Sequence, residues 1–545
     1  MAIKDGRILV DPADALTNWN TSGGGGGFGL ELDPQTVYQG TNSIAAPIST
    51  NLAFVYFDAG SAQDWSSNEF YFLMQVGVIG DLVDPGLSFR FTGATIGNYI
   101  EFKVASPTTW PATSVGDGWY QFVVDIEGAT DATGGTIPNT NAIRRVGYVM
   151  DIGTMAKQDN TWIDAIYRRP YANPGLIIEG DNTGAPYTWQ DVLDYTSTND
   201  IATCIPGPGG SIVLSTPVQF GNTSSSVTHA FSDTSKTILW DAQPKGNKDS
   251  YQIDFVASPS GTSTYTAGAK SGTGADATGT QGWTIQSENA SARWALIANS
   301  AGANCNFYGC SFVHSNTISI QSSNTEVIST FFVDGQEVIQ GTTAGVSTFL
   351  RNSVINANTA DGTAYLKTID LDKIKYSSFE FSDGHAIEIT TLGADLTGEA
   401  FQGNLFTGYS ATTSSTDAVI YNNSGQDVVI NASDGSNIVS TSYRNGTSAT
   451  STINNTVTVT IENVIVGSEV RAWDYTNANT DIEIAGGTDS APTGTVTFST
   501  STNLALLVKV FLPAYNIERF QINSGPAGVS RRVDQIIDRV YSNPA

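Results

Sequence analysis

NFYGCSFV (306–313), EVISTFFV (326–333), TFLRNSVI (348–355), KIKYSSFE (373–380), EAFQGNLF (399–406) and DVVINASD (427–434) are six versions of one eight-residue phrase. The second position is always apolar: Phe307, Val327, Phe349, Ile374, Ala400, Val428. The fifth is small or turn-forming: Cys310, Thr330, Asn352, Ser377, Gly403, Asn431. The seventh is apolar in five copies, Phe312, Phe332, Val354, Phe379 and Leu405, while Ser433 breaks the pattern. The copies begin 20, 22, 25, 26 and 28 residues apart, a period that belongs to solenoids, propellers and arrays. Positions two and seven differ by an odd number, so one straight strand cannot point both inward. A corner at the small fifth residue lets both face a core.

A second apolar stretch follows each of the first five copies: TISI (317–320), EVIQ (337–340), YLKTI (365–369), AIEI (386–389), AVIY (418–421). Two or three short strands per turn, with no helical period, predict a single-chain parallel β-helix. One coil buries four or five apolar side chains at roughly 1.5–3 kcal/mol each. Ordering it costs roughly 1.5 kcal/mol per residue, so the unit is stable only when stacked. The segment between the two strands grows from HSN (314–316) to TGYSATTSSTD (407–417), which predicts loops on one side of the stack.

The chain has 545 residues, enough for several domains. Its 25 Lys and Arg stand against 52 Asp and Glu, a formal charge of −27. That charge disfavours nucleic acid and anionic membranes as partners. No apolar run reaches the roughly 18 residues of a membrane span; LALLVKVFL (504–512) is short and holds Lys509. MAIKDGRILV lacks the apolar core of a signal peptide. Three cysteines, Cys204, Cys305 and Cys310, do not make a disulfide framework; buried free thiols and folding in a reducing cytoplasm are expected.

An all-β chain of three parts is expected. Residues 1–170 read as a jelly-roll-like β-sandwich, from alternating strands such as AFVYFDA (53–59), EFYFLMQVGVI (69–79) and LSFRFTG (87–93). GGGGG (23–27) is a loop. Residues 171–440 are the β-helix. It begins with a capping helix in APYTWQDVLDYT (185–196), where Trp189, Val192 and Leu193 share a face. GTSTYTAGAKSGTGADATGTQG (261–282) reads as a loop thrown out of the stack. Residues 441–545 form a small immunoglobulin- or transthyretin-like sandwich with a terminal helix over 529–541. In that helix Val529, Val533, Ile536, Ile537 and Val540 form a stripe, facing either its own domain or copies in a trimer.

A sandwich, a capping helix, a β-helix and a distal sandwich in this order resemble tailed-bacteriophage virion proteins of the tailspike and tail-fibre class. VTIENVIVGSEVRAWDY (459–475), NIERFQIN (516–523) and VDQIIDRVYSNP (533–544) also look like the C-terminal module of phage structural proteins. The resemblance implies a homotrimer at the virion surface, assembled in the host cytoplasm among other virion proteins and engaged with a host surface glycan. A Thr-, Ser- and Asn-rich solenoid with few charges to hold copies apart agrees with a trimer. The strands GWYQFVVDI (118–126) and TWIDAIYRR (161–169) resemble late strands of carbohydrate-binding jelly rolls. There Asp125 and Asp164 would face a bound ion such as a structural calcium, against the plainer reading of ordinary sandwich strands.

Many tailspikes cleave glycans, which singles out Asp334, Asp361 and Asp383, each followed by glycine between the strands of successive coils. Coils lie roughly 4.8 Å apart, so neighbouring carboxylates approach the ~5 Å of retaining glycosidases. Glu337 and Glu388 line the strands beside them, and His385 is adjacent. Asp-Gly is also the commonest turn signal. The histidines His229, His314 and His385 share no metal-binding spacing, and neither a GxxxxGK loop nor a GxSxG elbow is present. Trp240, Trp283 and Trp294 read either as core or as a sugar-stacking platform. Three functions follow: a structural attachment protein, a polysaccharide depolymerase on the aspartate side, or a carbohydrate-binding sandwich.

Overall fold

The computed structural model describes residues 3–537 except 23–28, 49–52, 77–85, 105–111, 129, 151–158, 180–187, 225–227, 231–234, 241–250, 260, 274–275, 288–292, 299–301, 321–324, 341–349, 352, 358–359, 381–382, 392–399, 434–435, 476–482, 490–492, 502–503 and 525–527. The glycine run 23–27 and Phe349 fall outside these residues. The described chain is all-β but for one α-helix and short 3-10 turns. It forms two compact units, Met1–Gly268 with Gly282–Ala303 and Val313–Ile318, and Ala269–Gln281 with Asn304–Phe312 and Ser319–Ala545. No described helix is long and apolar enough to cross a membrane.

Unit 1 begins with two antiparallel sheets. One runs in the order Ala112–Gly116, Trp119–Asp125, Asn68–Val76, Asp159–Pro170, Ser43–Ile48, Glu31–Asp33, with Ile8–Asp11 also on Asp159–Pro170. The other runs Ala132–Gly134, Tyr99–Val104, Leu87–Thr92, Ile143–Met150, Ala53–Gln63, Trp19–Ser22. Strict alternation sends Phe70, Phe72 and Met74 from one sheet and Phe89, Phe91 and Phe102 from the other into one shared core. Phe72 stacks on Phe89 at 4.3 Å. The outer face of the first sheet carries a buried polar network. Arg169 pairs with Glu69 at 2.7 Å, and the Tyr71 hydroxyl donates to Glu69 at 2.9 Å and lies 3.0 Å from the Thr216 hydroxyl.

The chain then winds through three parallel registers. Leu176 aligns with Val218, Ile253 and Leu296 in successive strands. Ile212 aligns with Ile238 and Ile285, and Thr228 with Thr264. Ser263–Ala267 is therefore a strand of the winding, and Ala269–Ser271 pairs with Thr278–Thr280 as a hairpin. The expected loop over 261–282 is corrected by this finding: alternating Ser263, Tyr265 and Ala267 bury one face, and the glycines beyond make the hairpin turns. The helix Trp189–Thr198 starts on a capping box. The Asp191 N–H donates to Thr188 Oγ1 at 3.0 Å, and the Thr188 N–H to Asp191 Oδ2 at 2.8 Å. Its Trp189 packs on Phe220 and Trp283. Trp240, Trp283 and Trp294 are buried, so they are core and not a platform.

Unit 2 repeats the same three-strand cycle. In the first register Phe307 aligns with Val327, Val327 with Leu350, and Leu350 with Ile374. In the second, Phe332 aligns with Ile355, Phe379 and Phe406. In the third, Val338 aligns with Leu366, Ile387, Ile420 and Tyr443. The repeat is present, with its phase shifted by one in the third and fifth copies: Leu350, Ile355 and Phe406 take the places expected of Phe349, Val354 and Leu405. In the sixth copy Ala400 aligns with Asn431 rather than Val428.

The corner holds these coils together. The Thr330 N–H donates to Ser353 Oγ at 3.1 Å, the Ser353 N–H to Ser377 Oγ at 3.4 Å, and the Ser377 N–H to Asn404 Oδ1 at 3.1 Å. Each buried backbone donor at the bend thus meets a side chain of the next coil, which a buried corner requires.

Thr450–Glu462 is one 13-residue strand. Its first half pairs parallel with Asp427–Ser433, and its second half antiparallel with Thr495–Ser501 in a terminal sandwich. The facing sheet runs Glu483–Thr488, Glu469–Asp474, Ala505–Phe511, Glu518–Asn523, over a core of Val459, Ile461, Val470, Leu506, Val508 and Val510. The expected terminal helix is corrected. Val529–Arg532 is a strand paired parallel to Val459–Glu462, and Ile536 and Ile537 are exposed. The open edge of Thr450–Glu462 offers backbone partners, and an edge strand satisfies them where a helix would not. Residues 538–545 lie outside the described part.

Candidate functional site

The turn leading into the third register of unit 2 carries an aspartate in four successive coils. Asp334, Asp361, Asp383 and Asp417 precede the aligned residues Val338, Leu366, Ile387 and Ile420. Asp361 and Asp383 are exposed, while Asp334 and Asp417 are half-buried. The turns of Asp361 and Asp383 touch: the His385 N–H donates to the Thr363 carbonyl at 2.6 Å. A Cβ on Gly384 would lie 2.3 Å from that same oxygen, so only glycine fits this approach. The structure thus brings Asp361, Asp383 and His385 together on adjoining coils, with Asp334 one coil earlier.

Two residues that the sequence did not single out complete the corner. The Tyr421 ring stacks on His385 at 5.0 Å and 24°, and the Arg444 guanidinium lies 5.1 Å from the Tyr421 centroid. Arg444 Nη1 comes within 3.5 Å of the space beside Gly362, so this arginine reaches the Asp361 turn. The pairing of Tyr421 with Arg444 and with Glu388 in register is a long-range fact that no local motif announces. A carbonyl only accepts, so His385 Nδ1 carries the proton it donates to the Ala418 oxygen at 2.7 Å. Nε2 is then a buried lone pair without a hydrogen-bond partner among the described residues. Burial lowers the His385 pKa below its ordinary value, against the opposing hydrogen bond to Ala418, and keeps the ring neutral.

Beside the corner, Glu337 pairs with Lys367, and the Asn423 side-chain amide donates to Glu388 at 2.8 Å. Lys367 titrates above its ordinary value: burial pulls it down, but the bond to Glu337 and the charges of Glu337 and Glu388 outweigh that. Glu337 and Glu388 are therefore engaged with protein partners, and Asp361 and Asp383 are the exposed carboxylates of the candidate set. His314 belongs to unit 1, in a turn at φ 57°, and the His229 side chain lies outside the described residues.

Asp125 and Asp164 belong to unit 1 and are fully buried. Asp164 occupies a bulge between Ile163 and Ala165. Its Oδ2 accepts the N–H groups of Tyr38 at 2.5 Å and Gln39 at 3.1 Å. Asp125 accepts the Tyr171 hydroxyl and the Glu127 N–H. Burial raises Asp125 to about 6 and Asp164 to about 7, against the hydrogen bonds that lower them. Asp125 Oδ1 and Asp164 Oδ2 thus accept protein donors, while Asp125 Oδ2 and Asp164 Oδ1 are buried without a hydrogen-bond partner among the described residues. Among the described residues no group of three or more His, Cys, Asp or Glu is placed to hold a metal. The three cysteines are buried, and burial raises the Cys204 and Cys305 thiols, as in inert structural cysteines.

No known protein family matches the chain, and no curated protein does. Among solved structures it is similar to the family 11 carbohydrate-binding module from Clostridium thermocellum in complex with a beta-1,3-1,4-mixed-linked tetrasaccharide. The identity is 11% over 30% of this chain and 96% of that one, with a TM-score of 0.23. It is similar to the catalytic domain of a GH87 alpha-1,3-glucanase in complex with nigerose, with 8% identity over 85% and 84% of the two chains and a TM-score of 0.24. It is also similar to an exo-beta-agarase, with 12% identity over 31% of this chain and a TM-score of 0.23, spanning only 25% of that enzyme. At these scores the likenesses carry no argument about function.

Proposed function

We propose that this chain is a structural and attachment protein of a bacteriophage particle, of the tailspike and tail-fibre class, that holds a host surface glycan against the corner turns of unit 2. The finer architecture belongs to this reading: the three-register winding as a single-chain parallel β-helix, the first two-sheet fold as a jelly roll, and the last as an immunoglobulin- or transthyretin-like module. The chain works as a homotrimer at the virion surface beside other virion proteins, and assembles in the host cytoplasm. The observation that carries the reading is the set of aspartates, Asp334, Asp361, Asp383 and Asp417, before the third register of successive coils, with Tyr421 and Arg444 beside the Asp361 turn. Carboxylates on the turns of neighbouring coils accept sugar hydroxyls, and the guanidinium donates to sugar oxygens in fixed geometry. A formal charge of −27 favours a neutral glycan at these turns.

A second reading, polysaccharide depolymerase, is favoured by one observation: Asp361 and Asp383 are exposed on touching turns, and such a spacing suits a retaining pair of carboxyls at ~5 Å. One experiment separates the two. The full chain is incubated with capsular polysaccharides, and both retention and new reducing ends are followed. Retention without cleavage, weakened at least tenfold by Arg444→Ala, supports attachment. New reducing ends that vanish in Asp361→Asn and Asp383→Asn establish the depolymerase. Neither retention nor cleavage removes both.

A further inference from the structure

Unit 1 carries a groove that the reading of unit 2 does not use. It lies at one end of the six-stranded sheet, holds about 390 Å³, and is lined by Thr95, Asn98, Thr136, Ile137, Asn139 and Arg144 among others. Among the described residues no carboxylate lines it. At its edge two arginines share one acid: Arg144 Nε donates to Asp58 Oδ1 at 2.7 Å and Arg145 Nε to Asp58 Oδ2 at 2.9 Å. Burial opposes ionisation of Asp58, but the bonds to Arg144 and Gly60 and the two guanidinium charges hold it below its ordinary pKa. Two cations and one anion leave a net positive charge in a chain of formal charge −27.

The two arginines are not equivalent. Arg145 is spent inside the fold, since its Nη1 also donates to the Gly93 and Ala94 carbonyls at 3.1 and 2.8 Å. Among the described residues Arg144 makes the Nε bond alone, keeps 34% of its side chain open and lines the groove. A guanidinium with both terminal NH2 groups available is shaped for a carboxylate. Around it stand hydroxyl and amide groups suited to sugar hydroxyls, and Ile137, 61% exposed, offers an apolar wall for a sugar ring face.

We propose that this groove binds a carboxylated sugar, a uronic acid unit of an acidic polysaccharide, with its carboxylate on Arg144 and its hydroxyls on Thr95, Asn98 and Thr136. The inference is independent of the corner site, which is acidic and suits neutral sugars. The chemistry is shared by any small carboxylate, so the test has arms for both.

Binding of glucuronate, glucose and acetate to the full chain is measured by saturation-transfer NMR and calorimetry. Glucuronate is expected to bind at least tenfold more tightly than either glucose or acetate. Arg144→Gln is expected to weaken glucuronate at least tenfold, with circular dichroism confirming the fold. Ile137→Asp places a like charge at the mouth without touching Asp58 and is expected to do the same. Asp361→Asn is expected to leave this binding unchanged, which separates its failure from failure of the corner site. Equal affinity for acetate and glucuronate, or undiminished glucuronate binding in Ile137→Asp, would overturn the proposal.

Discussion

Leu405 and Phe406 are neighbours that the coil treats in opposite ways, and truncating each in turn tests the register of unit 2. Phe406 is 8% exposed, stacks on Phe379 at 5.1 Å and 19°, and lies 5.9 Å from Phe401. Leu405 is 44% exposed and aligned with Ser378 on the outer face. Removing a buried phenylalanine ring costs about 3–5 kcal/mol, because transfer and cavity terms add. An exposed leucine changes stability by about 0.5 kcal/mol or less. In a chain of several cooperative parts, global unfolding blurs such a difference, so local opening is the better readout. Hydrogen exchange of peptides covering 400–407 is expected to speed up by about a hundredfold or more in Phe406→Ala, at about 1.4 kcal/mol per tenfold. It is expected to stay near the parent rate in Leu405→Ala, with 457–461 in the terminal sandwich as the unperturbed control. Equal protection loss in the two variants, or a larger loss in Leu405→Ala, would refute the register.

Two further predictions concern unit 1. Asp164 titrates near 7 in the fold and near 3.9 unfolded, so the native state holds more protons between those values. Stability therefore falls as pH rises from about 4 to about 7, by at most roughly 4 kcal/mol, and is flat above. Asp164→Asn keeps an acceptor for Tyr38 and Gln39 and is expected to flatten that slope and to be the more stable form at pH 8. A parent whose melting temperature rises steadily from pH 4 to 8 would contradict this. Arg169→Met leaves Glu69 buried, with its Oε1 already unpartnered among the described residues, and is expected to destabilise the sandwich by about 3–5 kcal/mol. Adding Glu69→Gln is expected to recover most of that in urea titrations, and no recovery would argue against an uncompensated charge as the cause.

The sequence made the all-β character legible because its periods are short and local. Alternation in LSFRFT predicts a strand whose Leu87, Phe89 and Phe91 are buried, and the structure buries them with Arg90 half-buried, but covers the outward Ser88 and Thr92 as well. The helix at Trp189 was readable from the spacing of Trp189, Val192 and Leu193, all buried in the structure, while its Thr188–Asp191 capping box was not read. The terminal segment was misread because Val529 and Val533, four residues apart, fit a helical stripe and also the two ends of a strand with its flank. Only the unpaired edge of Thr450–Glu462, fixed by distant pairing, decides between them. The corner site was half legible. Asp361, Asp383 and His385 announce themselves by recurring beside glycine, but Tyr421 and Arg444 reach them only through a register set by the whole stack.

The one-residue error in two copies has a cause that also explains what fixes the phase. Those copies offer adjacent apolar pairs, Phe349–Leu350, Val354–Ile355 and Leu405–Phe406, and hydrophobic periodicity cannot choose within such a pair. The bend can. Gly309, Ser329, Tyr376 and Gly403 are left-handed, at φ 63°, 53°, 52° and 64°. Each is followed by a buried small residue, Cys310, Thr330, Ser377 or Asn404. A left-handed residue reverses the chain in one step, and the residue after it is the one that turns inward to the hydrogen-bond ladder. Phase is thus set by where the backbone goes left-handed and which small side chain can accept from the coil before. Gly403 shows how tight this is: a Cβ there would lie 2.3 Å from the Tyr376 ring, so glycine is demanded both by its dihedral angle and by its neighbour. Once the corner is placed, Phe406 has to fall inside and Leu405 outside, whatever their hydrophobicity.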